Sequence, residues 1–165
     1  ALFSGLNTSL GGAGTTLTLD YIQAAVTQCL GQSEPVPMPL YFVCHPYSLH
    51  EVIDLLATGA YNANFIPEGL MMDTIRYYWR GREKLFGTDV FTTGNLSINT
   101  ADDTYGAVFN REAFLYLVGW EPDNWVEEDK SLRGWEMGIV ADYGMVEEDG
   151  TYGRAMYFEA AAPTS

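Results

Sequence analysis

The chain has 165 residues, enough for one domain with its own core and too few for two. Apolar residues make up 47% and charged residues 18%, which excludes a disordered polypeptide. With 22 acids against 8 bases the net charge is −14, which argues against nucleic-acid binding driven by bulk charge, because phosphates repel such a surface. No run approaches the roughly 20 apolar residues of a membrane-spanning helix. The asymmetry is also local. Residues 101–165 hold 14 acids and 4 bases, whereas residues 1–100 hold 8 acids and 4 bases, all four bases lying between Arg76 and Lys84. Ala1 is not an initiator Met, so the chain is expected to be processed, trimmed or part of a longer polypeptide.

Residues 1–16, rich in Gly, Ser and Thr, predict an extended lead-in with turns. Leu19, Ile22, Val26, Cys29 and Leu30 follow helical spacing. They predict a helix from Leu19 to Leu30, capped by Thr18 or Thr16 and stopped at Gly31. Pro35, Pro37 and Pro39 then make a rigid approach to the apolar run Leu40–Cys44, which reads as a buried central strand. Ser48 and Glu51 fit a capping box, with Leu49, Val52, Ile53, Leu55 and Leu56 as the buried stripe of a helix ending near Thr58-Gly59.

Met71, Met72, Ile75, Tyr78 and Trp79 fit a short helical stripe that Gly81 and Gly87 interrupt. A strand is expected over Asp89–Thr93, a turn at Gly94-Asn95, a solvated loop at Asp102-Asp103-Thr104 and a strand over Tyr105–Phe109. Asn110 is placed to cap a short helix from Arg111 to Val118. Residues 119–134 look like a loop or arm excursion, and Trp135–Val146 reads as strand-like. Glu147–Gly150 reads as a hairpin turn leading to an alternating strand from Tyr152 to Glu159, and the tail from Ala160 is expected to fray. No internal repeat or linker divides the chain, so it reads as a single domain.

The residues that carry chemistry in other proteins are not arranged for it here. His45 and His50 are five apart across a proline, not on one helical face, and read as a strand-end histidine and an exposed helical one. Gly11-Gly12-Ala13-Gly14 lacks the lysine and preceding strand of a phosphate loop. The acidic pairs Asp102-Asp103, Glu127-Glu128 and Glu147-Glu148 have no calcium-loop spacing. Cys29 and Cys44 sit among apolar neighbours and read as buried free thiols. No catalytic residue, cofactor or metal is therefore expected.

Two features stand out. The first is Arg76–Lys84, where Trp79 and two tyrosines interleave with Arg76, Arg80, Arg82 and Lys84. In a chain this acidic, pairing with acids of the same or a neighbouring subunit outweighs stacking on nucleobases. The second is Trp120 and Trp125 beside Glu127, Glu128 and Asp129. That group reads either as a protein contact or as tryptophans plugging the domain's own core. Together with Asp102 and Asp103, these residues are the candidate subunit interfaces.

In this order the elements resemble the C-terminal, axial-domain-centred portion of tailed-phage major capsid proteins of the Hong Kong 97 fold. The carriers are Leu17–Ala25, the strand Leu40–Cys44 with His45-Pro46 and the helix after it, Leu85–Leu96, Gly106–Phe114 and Ala141–Val146. The series runs from about Leu17 to Glu159 and is carried by order rather than by one motif. The resemblance implies a mixed α/β fold with a central sheet flanked by helices. It also implies a structural protein without enzymatic activity, whose copies form hexamers and pentamers of an icosahedral shell around double-stranded DNA. Such a subunit is assembled in the host cytoplasm, resides in the virion, touches DNA without sequence specificity and no membrane, and can meet portal, scaffold or decoration proteins. The family's N-terminal arm, extended loop and spine helix have no counterpart here and would precede Ala1. Its crosslinking chemistry finds no matching motif at Lys84 or Lys130. An encapsulin-type compartment shell shares the fold, and a small acidic hydrolase or binding domain is the reading from outside this class.

Overall fold

The computed structural model describes residues 3, 6, 9–57, 84–131 and 133–163. Along the chain come β1 (Leu10–Gly11), α1 (Leu19–Leu30), β2 (Tyr41–Cys44), α2 (Pro46–Ala57), β3 (Lys84–Leu85) and β4 (Thr88–Thr92). They are followed by β5 (Asp103–Phe109), β6 (Phe114–Asp129), β7 (Gly134–Glu147) and β8 (Gly153–Glu159). Among the described residues six strands form one mixed sheet in the order β1-β8-β5-β2-β4-β3, while β6 and β7 pair with each other as a separate two-stranded sheet. The fold is thus mixed α/β with a central sheet, as the resemblance implies.

The helix over Leu19–Leu30 forms because its apolar positions recur every three to four residues, burying Ile22, Ala25, Val26 and Cys29. Thr18 sits at its N-cap with extended backbone, but its side chain makes no capping hydrogen bond. β2 lies inside the sheet, parallel to β4 and antiparallel to β5. Phe42 and Cys44 point into the core, which joins them to α1, α2 and the β8 residues Met156 and Phe158. The two-residue turn between β3 and β4 has positive φ at both Phe86 and Gly87, the backbone a tight hairpin requires.

Five local expectations are corrected. The capping box is not used: the second helix begins at Pro46, which suits a first helical position because its missing N–H is not needed there. His45 takes the cap, its Nδ1 accepting from the Tyr47 amide at 3.2 Å. Ser48 instead donates to the Glu159 carbonyl at 2.9 Å, docking α2 against the end of β8. Asp103 and Thr104 are not a solvated loop but the buried start of β5. Asn110 does cap, accepting from the Glu112 amide, but the helical turn covers only Arg111–Ala113. From Phe114 the alternating aromatic and branched residues continue as a strand.

The segment Glu147–Gly150 is no hairpin turn either, since β7 and β8 belong to different sheets. Asp149 caps a second short turn there, Gly150–Tyr152. Finally, both ends of the described chain are tied down. Leu6 is buried with Ala107, Ala113 and Ala155 on the second face of the sheet, and β1 adds a parallel edge to β8. Ala160 is buried and its amide donates to the Asp102 carbonyl, so fraying cannot begin there. The expected helical stripe over Met71–Trp79 lies outside the described residues.

Candidate assembly surfaces

The feature that sets this chain apart is where β6 and β7 emerge. β5 and β8 are antiparallel neighbours through seven residue pairs, and a short turn would suffice to join them. Instead the chain leaves after Ala113, runs out along β6, returns along β7 and re-enters at Glu148. Backbone bonds clamp the base: the Glu148 amide donates to Ala113 at 2.9 Å and the Asn110 amide to Tyr152 at 3.0 Å. Asn110 is the hub of that clamp. Its Nδ2 donates to the carbonyls of Pro37 and Pro39 at 2.6 and 3.0 Å, while its Oδ1 holds the Glu112 amide. Residues 119–134, expected as an excursion, fall within a longer two-stranded ribbon that runs from Phe114 to Glu147.

Within the ribbon, β7 runs regularly while β6 carries irregularities between Val118 and Trp120 and between Trp120 and Asp123. Such bulges add twist without changing which β7 residues share a face. Odd-numbered β7 positions from Trp135 to Glu147 line one face, opposite Phe114, Tyr116, Val118, Asn124, Val126 and Glu128. Even-numbered positions line the other, with Leu117, Trp120, Trp125 and most of the ribbon's acids.

The candidate interface residues fall into three groups. Arg76, Trp79, Arg80 and Arg82 lie outside the described residues, and of Lys84 only the backbone is described, in register with Asp89. Trp120, Trp125, Glu127 and Glu128 are exposed on the ribbon, Trp120 at 60%, so neither tryptophan plugs the core. Asp129 is half-buried and closes the ribbon's tip, its Oδ1 accepting from the amide and hydroxyl of Ser131 at 2.8 and 2.7 Å. Asp102 is exposed, with φ of 59°.

Asp103 is different, being only 1% exposed. Its Oδ1 accepts from the Gly14 amide at 2.8 Å and its Oδ2 from the Tyr157 hydroxyl at 3.4 Å, so it ties the lead-in to β8. Burial and then the Asp103 charge push the Tyr157 phenol above its ordinary range. Asp103 is thus an internal brace with almost no surface to offer a neighbour.

The remaining reactive side chains are also accounted for by packing. Cys29 and Cys44 are free and buried, and burial pushes the Cys44 thiol up to about 12. Burial lowers the His45 pKa, and His50 is exposed on α2. Among the described residues no three His, Cys, Asp or Glu side chains cluster to hold a metal ion, and no helix is long and apolar enough to cross a membrane. The residues that sequence reasoning missed are on β7: Trp135, Met137, Ile139, Tyr143 and Met145, all exposed. Their signal was the recurrence of large apolar residues at odd positions, Trp135, Met137, Ile139, Tyr143 and Met145, in a segment already read as strand-like.

Among the described residues the fold is thus a six-stranded mixed sheet with two helices and a long ribbon inserted between the adjacent antiparallel strands β5 and β8. No family model matches the chain, and no curated protein matches it by sequence. Solved structures do. A chain of Mycobacterium phage Che8 superposes with a TM-score of 0.70 at 15% identity, over 94% of this chain and 54% of that one. The acid-stable capsid of Helicobacter pylori bacteriophage KHP30 matches at 0.63 and 11%, over 97% and 64%. An encapsulin complex from Synechococcus elongatus matches at 0.57 and 9%, over 100% and 59%. The chain has the fold of phage capsid subunits, which bears out the resemblance to the Hong Kong 97 type. It spans less than two thirds of the length of these three chains.

Proposed function

We propose that this chain is a major capsid subunit, or the greater part of its assembly-competent portion, and that copies tile as hexamers and pentamers into an icosahedral shell around double-stranded DNA. Its work is geometric and it catalyses no reaction. The observation that carries this reading is the superposition on the Che8 chain over 94% of this chain. The charge supports it: a surface with a net −14 repels packaged DNA, so the genome can slide without sticking. The subunit is assembled in the host cytoplasm and resides in the virion, with portal, scaffold and decoration proteins as further partners.

An encapsulin-type shell is the second reading, supported by the match to an encapsulin complex over the whole of this chain. Negative-stain microscopy of the purified protein tests the class. Rings or polyhedral particles are expected, and a monomer at every concentration refutes it. Particles copurifying with DNA favour the capsid, and particles holding only a protein cargo favour the compartment.

A further inference from the structure

The ribbon consists of two regular halves with an irregular stretch between them. In the inner half β6 and β7 pair residue for residue from Phe114 with Glu147 to Val118 with Tyr143. In the outer half they do so again, from Asp123 with Val140 to Asp129 with Gly134. Between Val118 and Asp123 β6 has four residues, where β7 has only Ala141 and Asp142. Trp120 pairs with Asp142, so Gly119 has no residue opposite it, and Glu121 and Pro122 together face Ala141. Two bulges thus follow one another on the same strand.

Each half is braced across its strands, and the stretch between them is not. In the inner half the rings of Tyr116 and Tyr143 lie 6.1 Å apart. In the outer half the Trp125 ring covers Gly138 directly opposite, where any Cβ would collide with the indole. In the middle, a Cβ on Gly119 would sit 2.9 Å from the Asp142 carboxylate, so no side chain fills the gap there. Pro122 has no N–H to give to a ladder. Residues 119–123 and 140–143 are all exposed, and among the described residues no third strand flanks the ribbon. A two-stranded ribbon without a packed layer owes its stiffness to its ladder and its cross-strand side chains. Where both lapse, it bends most easily.

The geometry points to a joint in the ribbon, formed by residues 119–123 of β6 and 140–143 of β7, about which the outer half swings as a unit. The inner half stays fixed to the body. Its base is held by the Ala113–Glu148 and Asn110–Tyr152 backbone bonds and by the Asn110 side chain on Pro37 and Pro39. The use of the joint rests on the shell reading above. The angle between neighbouring copies differs by roughly 12° between a six-membered and a five-membered ring. From Val140 to Gly134 the outer half extends about 20 Å, so a swing of that size carries the tip about 4 Å. One sequence thereby presents the same tip in both surroundings.

Deleting Gly119 and Pro122 together tests the joint, because it pairs Glu121 with Ala141 and leaves every other pair and both faces of the ribbon as they are. Double electron–electron resonance between spin labels at Lys130→Cys on the tip and His50→Cys on α2 reads the spread of tip positions. Both sites are exposed, and the native Cys29 and Cys44 are buried. The deletion should narrow the parent's distance distribution at least about twofold, and equal widths overturn the joint. Hydrogen exchange of the parent gives a second reading that needs no variant. Protection should pass through a minimum at the joint and recover in the outer half, whereas a steady decline from base to tip overturns the joint. Should the deletion unfold the chain by circular dichroism, the exchange profile decides alone. A jointed ribbon in a chain that forms no rings or particles upholds the joint and refutes the shell. A stiff ribbon in a chain that closes into particles refutes the joint and leaves the shell standing.

Discussion

Replacing Asp103 with Ala should weaken the fold out of proportion to the small volume removed. The carboxylate is 1% exposed, and its 2.8 Å bond to the Gly14 amide spans 89 positions of sequence. A hydrogen bond to a charged group contributes about 1.5–3 kcal/mol, and its loss leaves the Gly14 donor without its partner. A loss of about 2 kcal/mol is therefore expected, against a total stability of roughly 5–15 kcal/mol for a domain. With a urea dependence of about 2 kcal/mol per molar, the unfolding midpoint should drop by about 1 M at unchanged slope. The measurement belongs at a protein concentration where sedimentation shows a monomer, because association of the folded form would otherwise raise the apparent stability. Hydrogen exchange should accelerate first at Glu159, whose amide donates to Thr15 beside the released lead-in. A midpoint within about 0.2 M of the parent would refute the brace, since it would put the cost below 0.5 kcal/mol.

Three further outcomes follow from the same geometry. The depressed His45 pKa means that the folded state favours neutral imidazole, so stability is present above pH 6.5 and lost as pH falls below it. His45→Asn, which keeps a capping acceptor, should flatten that slope in urea melts from pH 7.5 to 4.5. Cys44, raised to about 12 from 9.0, should contribute stability below pH 9 that is lost as pH climbs towards 12, and Cys44→Ala should remove that part of the decline. Reversing Arg80 and Arg82 to Glu should impair capsomer assembly and leave the monomer's melting unchanged, where the Arg76–Lys84 run pairs, as its sequence leads one to expect, with acids of a neighbouring subunit. Normal particles from that variant by electron microscopy would remove the pairing from consideration.

Sequence by itself determined the elements whose causes are local. α1 was legible because a 3.6-residue period of apolar side chains admits one solution, and β2 because an apolar run between prolines cannot continue a helix. Cys29 and Cys44 were legible as buried thiols from their apolar neighbours. Tertiary structure decided whatever depends on a partner far along the chain. Ser48 has the spacing of a cap, yet the Glu159 carbonyl 111 positions away claims its hydroxyl. Asp103 looks like loop chemistry, yet the Gly14 amide and Tyr157 hydroxyl give its charge a buried home. The ribbon shows both sides of the division. Alternation along β7 fixes which residues share a face. That this face stands free of the core follows from the clamp at Ala113 and Glu148, a pairing across 35 residues that no local pattern encodes.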